Sequence, residues 1–252
     1  MSIFQLQQFS VKQTISGMKI CSDSLIFGAM TPMTGAIKVL DIGTGTGILS
    51  LMLAQKANTE SDCKLESITA IEITREAAEE AQENFINSPW ASQLKIIQQD
   101  IQKFSQIQKE KMNDDFDVII CNPPFFVNQT KTSDDNPLRH TARHSDTLSF
   151  ADLCQSIDRL LTTLGRVYLL LPIISITEFC HEASLVGLKL YERIDIAESV
   201  DHPVKVSMLS FSRGNLKSEV KLKQGRLNKF TKTDVHSDEV RELLSPFLLR
   251  YL

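Results

Sequence analysis

Four places in this 252-residue chain put glycine or polar side chains where chemistry could follow. The run LDIGTGTGILSLMLA sets Asp41 and then Gly43, Gly45 and Gly47 on alternate positions. Glycines permit positive φ and let the backbone approach a ligand where a Cβ would collide. The spacing is GxGxG, and Ile48 stands where the dinucleotide fingerprint GxGxxG continues toward its last glycine, so a pyrophosphate cradle is disfavoured. In TAIEIT, Glu72 is a carboxylate that could accept hydrogen bonds from both hydroxyls of a ribose. In IIQQDIQ, the side chain of Asp100 and the next backbone amide, that of Ile101, could address an adenine edge. The fourth place is DVIICNPPFF, with Asn122, Pro123, Pro124, Phe125 and Phe126 in succession. Read structurally, the prolines would only end a strand, Asn122 would be a turn residue, and Glu72 a solvated acid.

The elements needed to position these residues can be read from hydrophobic pattern. Strands are expected at 37–41, 67–72, 94–98, 116–121 and 166–171, and helices at 47–57, 75–87, 101–110 and 150–164. Alternation of this kind implies a parallel sheet covered on both faces. Two more strands, 188–198 and 204–212, flank a short stretch with Asp201 and Pro203 and read as an antiparallel finish. A short helix is expected near 237–249. The expectation is an α/β fold with a seven-stranded, mostly parallel sheet whose last strand is antiparallel. Residues 1–35 form an N-terminal segment packing over the site, and 36–252 form one domain that includes a C-terminal basic segment. Asp41, Glu72 and Asp100 then end three successive strands and outline a nucleoside-shaped site.

Composition narrows the function classes. Five cysteines, far apart and never in a CxxC pair, suggest neither a disulfide framework nor a zinc ribbon, which fits a reducing compartment. The N-terminus lacks a basic stretch followed by an apolar core, and the longest apolar run, VYLLLPII, is too short for a bilayer. A soluble cytoplasmic protein with no membrane partner is expected, as a monomer or weak oligomer. A net charge of −4 argues against a generally sticky nucleic-acid binder. It leaves room for a local basic face, and Arg213, Lys217, Lys221, Lys223, Arg226, Lys229 and Lys232 sit among a single acid, Glu219. The long connection 127–149 carries Arg139, His140, Arg143 and His144. His140 and His144 have the helical spacing of a metal pair but no third ligand nearby in sequence, so no metal is expected. Arg139 and Arg143 could contact phosphates or serve structural ion pairs.

The glycine loop followed by strand-end acids resembles the S-adenosylmethionine-dependent methyltransferases over roughly residues 36–212, a Rossmann-like fold. NPPF is similar to the signature of amino-group methyltransferases that act on adenine N6, guanine N2 or protein glutamine. The resemblance implies that Asp41, Gly43, Gly45, Gly47, Glu72, Asp100 and Ile101 hold S-adenosylmethionine. An amino nitrogen conjugated to a ring is a poor nucleophile. Two acceptors, the Asn122 side-chain oxygen and the Pro123 carbonyl, could take both its protons and aim the lone pair at an activated methyl, so positioning would carry most of the catalysis. Pro124 stiffens the backbone, and Phe125 offers a face on which a flipped base stacks.

Only forty residues precede Asp41, which leaves no room for the helical domain usual in glutamine methyltransferases. FSVKQTISGMKICSDSLIFGAM, NSPWA and FDVIICNPPFF together resemble the bacterial valine-tRNA (adenine-N6)-methyltransferase family over nearly the whole chain. That resemblance implies N6-methylation of the adenosine 3′ of the anticodon, with tRNA as partner. Lys19, Asp23, Phe126, Arg139 and Arg143 are the corresponding substrate-side candidates, and Lys12, Gln13, Lys19 and Asp23 could equally only pin the segment to the sheet. The chain departs from the family at Cys21 and Ser24, where small residues or glycine are usual, and at Phe126, where tyrosine is usual. The alternatives are N2-methylation of guanine in ribosomal RNA, and a cofactor-binding RNA assembly factor without turnover.

Overall fold

The computed structural model describes residues 2–14, 19–110, 116–123, 148–213, 222–232 and 235–251. A short antiparallel hairpin, β1 (Ile3–Gln5) with β2 (Ser10–Lys12), precedes α1 (Ser22–Met30). The alternating part runs β3 (Lys38–Ile42), α2 (Ile48–Thr59), β4 (Ser67–Glu72), α3 (Arg75–Ile86), β5 (Leu94–Gln98), α4 (Ile101–Glu110) and β6 (Phe116–Cys121). It continues with α5 (Phe150–Leu160), β7 (Leu161–Pro172), α6 (Ile176–Leu185), β8 (Leu188–Ala197) and β9 (Val204–Arg213). The chain closes with β10 (Lys223–Asn228), a small hairpin of β11 (Phe230–Lys232) and β12 (Val235–His236), and α7 (Asp238–Leu244).

The main sheet has eight strands in the order β10-β8-β9-β7-β6-β3-β4-β5, which corrects the expected seven. β9 runs antiparallel to both of its neighbours, and the last strand of the sheet in sequence, β10, pairs parallel with β8. β10 went unseen because KQGRLN has a single apolar residue, Leu227, and all of its other side chains are exposed or half-buried. Backbone pairing and one buried leucine hold this edge strand. The helix expected to reach 164 stops at Leu160, and residues 161–172 are strand. Pairing jumps from Phe116↔Leu161 to Val118↔Arg166, so Thr162–Gly165 is absorbed as an irregularity. The guanidinium of Arg213 donates to the carbonyl oxygens of Asp158 and Leu161 and so satisfies this early helix end. The last helix ends at Leu244 rather than 249, two residues before Pro246, which cannot continue it.

Two apolar layers enclose the sheet. Val39, Ile68, Val118, Ile120 and Leu170 face α1, α2, α3 and α7, while Leu40, Ile42, Ile71, Ile119 and Leu169 face α4, α5 and α6. Adjacent residues thus point to opposite dry faces, which is why the central strands read as unbroken apolar runs. Helix α1 packs between α2 and α7, and Lys56 of α2 donates to the carbonyls of Ala29 and Thr31 at its end. The N-terminal hairpin is tied to the other terminus by Gln7, whose amide donates to the carbonyls of Ser245 and Leu248 at 2.7 and 2.9 Å. No helix among the described residues is long and apolar enough to cross a membrane.

Candidate functional site

After β3 the chain moves outward through β4 and β5, then returns to place β6 on the other flank of β3. The strand order therefore reverses between β3 and β6, where open α/β sheets leave a crevice at their carboxyl ends. Asp41 lies near the end of β3 and Asn122 directly follows β6, with Ile42 paired to Cys121 between them. Glu72 ends β4, and Asp100 follows β5. All four strand-end polar residues singled out in the sequence thus lie along one sheet edge.

The loop after β3 is bound tightly to the sheet. The amides of Gly43 and Thr44 donate to the Ile71 carbonyl at 2.9 and 3.1 Å. Gly43, Gly45 and Gly47 all have positive φ, at 70°, 57° and 86°. Their surroundings differ. A Cβ at Gly43 or Gly45 would meet nothing within 4 Å, whereas a Cβ at Gly47 would lie 2.4 Å from Cε1 of Phe85. The first two glycines border open space, and the third lets α2 start against the α3 ring.

Asp41 is fully buried, and its Oδ2 accepts hydrogen bonds from the hydroxyls of Thr44 at 2.6 Å and Ser50 at 2.7 Å. Its Oδ1 is buried and has no partner among the described residues. Burial pushes the carboxyl up to about 6, against the opposing pull of the two hydroxyls. Glu72 is oriented by the loop, with Oε2 accepting from the Gly45 amide at 2.9 Å and Oε1 from the Thr74 amide at 2.8 Å. Each oxygen keeps a lone pair for a further donor. Asp100 accepts from the Gln102 amide at 2.6 Å and so caps α4. Ile101, the first residue of α4, has a buried side chain, and its amide has no acceptor within the helix.

Asn122 is held from the N-terminal segment. Its Nδ2 donates to Ser24 Oγ of α1 at 3.0 Å, and its Oδ1 is buried with no partner among the described residues. Pro123 is buried. Pro124, Phe125, Phe126, Arg139, His140, Arg143 and His144 lie outside the described residues, as does most of the 127–149 connection. Lys19 is exposed. Asp23 pairs with Lys229 Nζ at 2.8 Å. Lys12 pairs with Glu83 of α3 and so pins the segment, while the buried Gln13 accepts from the Ile20 amide within the segment itself. One amide joins this segment to the glycine loop: Asn84 Nδ2 donates to the carbonyls of Lys12 and Thr46.

The supporting residues that sequence reasoning missed are Thr44, Ser50 and Ser24. The two hydroxyls that hold Asp41 lie three and nine residues beyond it, within the motif itself, and could have been read from it. Ser24 is 98 residues from Asn122, and only the fold brings them together.

Among the described residues, four of the five cations of the basic segment have partners within the fold. Arg213 pairs with Asp158, and Lys223 with Glu192 at 2.7 Å. Arg226 donates through Nη2 to the carbonyls of Ser199, Val200 and His202. Lys229 is buried between Asp23 and Glu198. Lys232 is exposed, and Lys217 and Lys221 lie outside the described residues.

The doubly wound sheet with a glycine loop after its first central strand and acids after the next two is the fold of the S-adenosylmethionine-dependent methyltransferases. A family model described as a methyltransferase domain matches residues 34–186. A predicted O-methyltransferase from Agrobacterium tumefaciens superimposes with a TM-score of 0.64 at 18% identity, over 88% of this chain and 94% of that one. An O-methyltransferase from a Brevibacillus brevis multienzyme, solved with S-adenosyl-L-homocysteine, gives 0.51 at 14% identity over 76% and 71%. These two show the fold alone. The sequence relatives go further. The tRNA1(Val) (adenine(37)-N6)-methyltransferase of Shewanella sediminis is 33% identical over 98% of this chain and 99% of its own length. The enzymes of that name from Bacteroides fragilis and Cytophaga hutchinsonii are 33% and 39% identical over 98% and 75% of the chain. The chain belongs to the tRNA1(Val) (adenine(37)-N6)-methyltransferase family.

Proposed function

We propose that this protein uses S-adenosylmethionine to methylate N6 of an adenosine in tRNA, the one 3′ of the anticodon in valine tRNA. The observation that carries this reading is Asn122 Oδ1, a buried acceptor at the strand-order reversal with no partner among the described residues, on an amide whose nitrogen is already engaged. A buried unsatisfied acceptor costs about 1–3 kcal/mol. An incoming N–H donor relieves that cost, and an exocyclic amino group is such a donor.

The cofactor fits the residues on the β3 and β4 side. The backbone at Gly43 and Gly45 borders space that a Cβ would enter. Asp41 Oδ1 lacks a donor, and both Glu72 oxygens are fixed in place to accept ribose hydroxyls. When bound, the cofactor supplies a methyl already activated on a sulfonium. The protein's own residues then orient the amine, and the proton that the nitrogen gives up on methylation leaves to solvent. Asn122 Oδ1 takes one N–H and the Pro123 carbonyl the other, which turns the nitrogen lone pair out of conjugation with the ring. Proline at 123 fixes its own φ and so restricts the backbone that carries both acceptors, which limits reorganisation during transfer. The N-terminal segment, through α1, closes over this side of the site.

The test is single-turnover methylation of unmodified valine tRNA by the Asn122→Ala variant, with nucleosides identified by mass spectrometry. Loss of a preorganised hydrogen-bonding group typically costs about a hundredfold to a thousandfold in rate. That loss, with cofactor affinity retained, is the expected result. A variant methylating at the parent rate would make Asn122 a turn residue. N2-methylguanosine in place of N6-methyladenosine would move the substrate to guanine, and cofactor binding without any transfer would favour an assembly factor.

A further inference from the structure

We infer that Ser24 is a positioning residue for methyl transfer, fixing which end of the Asn122 amide faces the target amino group; this rests on the reading of Asn122 as the acceptor. An asparagine amide has two orientations of similar shape, related by a half-turn that exchanges oxygen and nitrogen. Only one presents an acceptor to an N–H. With Nδ2 turned to the substrate, two donors would face each other and the amino group would be repelled rather than held.

Ser24 selects between these orientations. It lies in the first turn of α1, is 7% exposed, and its Oγ is 3.0 Å from Asn122 Nδ2. A serine oxygen can accept or donate, so its own proton must be directed elsewhere for it to act as an acceptor. Cys21 Sγ, 3.2 Å from the same Oγ, gives that proton another partner. The hydroxyl's lone pair is then left for Nδ2, and Oδ1 is turned away from α1. Cys21, Ser24 and Asn122 thus form one chain of contacts that runs from the start of α1 to the end of β6. The same contacts hold α1 against β6, so the amide is fixed only when the N-terminal helix is seated. Lys229, buried between Asp23 of α1 and Glu198 at the end of β8, seats that helix from the opposite side.

The experiment is a double-mutant cycle on the full chain: Ser24→Ala, Asn122→Ala and the pair, with Ser24→Gly as a second variant that also removes the hydroxyl. Single-turnover rates at saturating unmodified valine tRNA, cofactor affinity and thermal melting are measured for each. Loss of one neutral hydrogen bond predicts a fall of about fivefold to tenfold in rate for Ser24→Ala and Ser24→Gly, with unchanged cofactor affinity and a small drop in melting temperature that is larger for glycine, a poor helix former, while the two rates stay equal. In the Asn122→Ala background, Ser24→Ala is expected to have no further effect, because the group it acts through is gone. Parent rates in both Ser24 variants, or a loss that multiplies in full with that of Asn122→Ala, would overturn the inference while leaving Asn122 in its role. A parent rate in Asn122→Ala would instead sink the reading of Asn122, and the inference with it. If one Ser24 variant melts early, the other carries the comparison, and a loss that tracks melting in both would overturn the positioning role.

Discussion

Placing a methyl group on two glycines of the same loop should separate packing from ligand binding. At Gly47 two costs combine. A non-glycine residue at φ 86° is strained by about 1–2 kcal/mol. The new Cβ would also lie 2.4 Å from Cε1 and 3.0 Å from Cζ of Phe85, a ring that is 1% exposed and has nowhere to retreat. Overpacking of this kind costs about 1–3 kcal/mol, so Gly47→Ala should destabilise the fold by about 2–5 kcal/mol in total. At Gly45 the φ of 57° carries a similar backbone cost, but no atom lies within 4 Å of the new Cβ. Its amide still donates to Glu72. Gly45→Ala should therefore cost only about 1–2 kcal/mol of stability. For S-adenosylmethionine the order reverses, since the methyl at 45 enters the space assigned to the ligand and should weaken binding tenfold or more, on the order of 1–3 kcal/mol of steric cost. Urea unfolding gives the first ranking and titration calorimetry the second. Parent affinity in Gly45→Ala would refute the cradle, and equal destabilisation by both variants would refute the role given to Phe85.

Two further outcomes follow from buried charge. Asp41 titrates at about 6 in the fold against 3.8 ordinarily, so between those values the folded protein binds more protons than the unfolded chain. Stability should then fall as pH rises through that window, by roughly 3 kcal/mol, and Asp41→Asn should abolish this slope in urea titrations at pH 4 to 7. An unchanged slope would show that Asp41 does not titrate there. Lys229→Met should cost about 1–3 kcal/mol of stability, discounted from a fully buried pair because Asp23 and Glu198 are 27% and 35% exposed. It should leave the salt dependence of tRNA binding unchanged, and a reduced slope would return Lys229 to the RNA surface.

The central sheet was legible because its strands are buried on both faces and flanked by helices with a polar side. Helix α3 is the clear case: Ala77, Ala78, Ala81 and Phe85 are buried, and Glu76, Glu79 and Glu83 turn outward. Helix α1 was not legible, since Ser24 through Ala29 are buried in succession and a helix covered on all sides loses its 3.6-residue pattern. The two small hairpins fail for another reason. Strands of two or three residues are too short to show alternation at all. At the site, side chains that face a ligand could be found by type and position, because Asp41, Glu72, Asp100 and Asn122 each terminate or follow a recognisable strand.

Charge was legible as composition but not as location. The cations between 213 and 232 suggested a face for phosphates, yet a lysine whose neighbours in sequence are Asn228 and Phe230 gives no sign that its ammonium will be enclosed by acids at positions 23 and 198. Desolvation by itself would disfavour the charged form, and the two carboxylates outweigh it, so the Lys229 pKa is raised. Such a lysine is committed to the fold and is not available to phosphate. Arg226 is also drawn into the fold, its Nη2 donating to three carbonyls of the turn between β8 and β9, although its side chain stays exposed. A local count of basic residues therefore overstates a nucleic-acid surface wherever the partners come from distant segments. The inverse holds at Asn122, where local sequence gives the acceptor and its rigid backbone, and only the tertiary contact with Ser24 gives the direction in which that acceptor points.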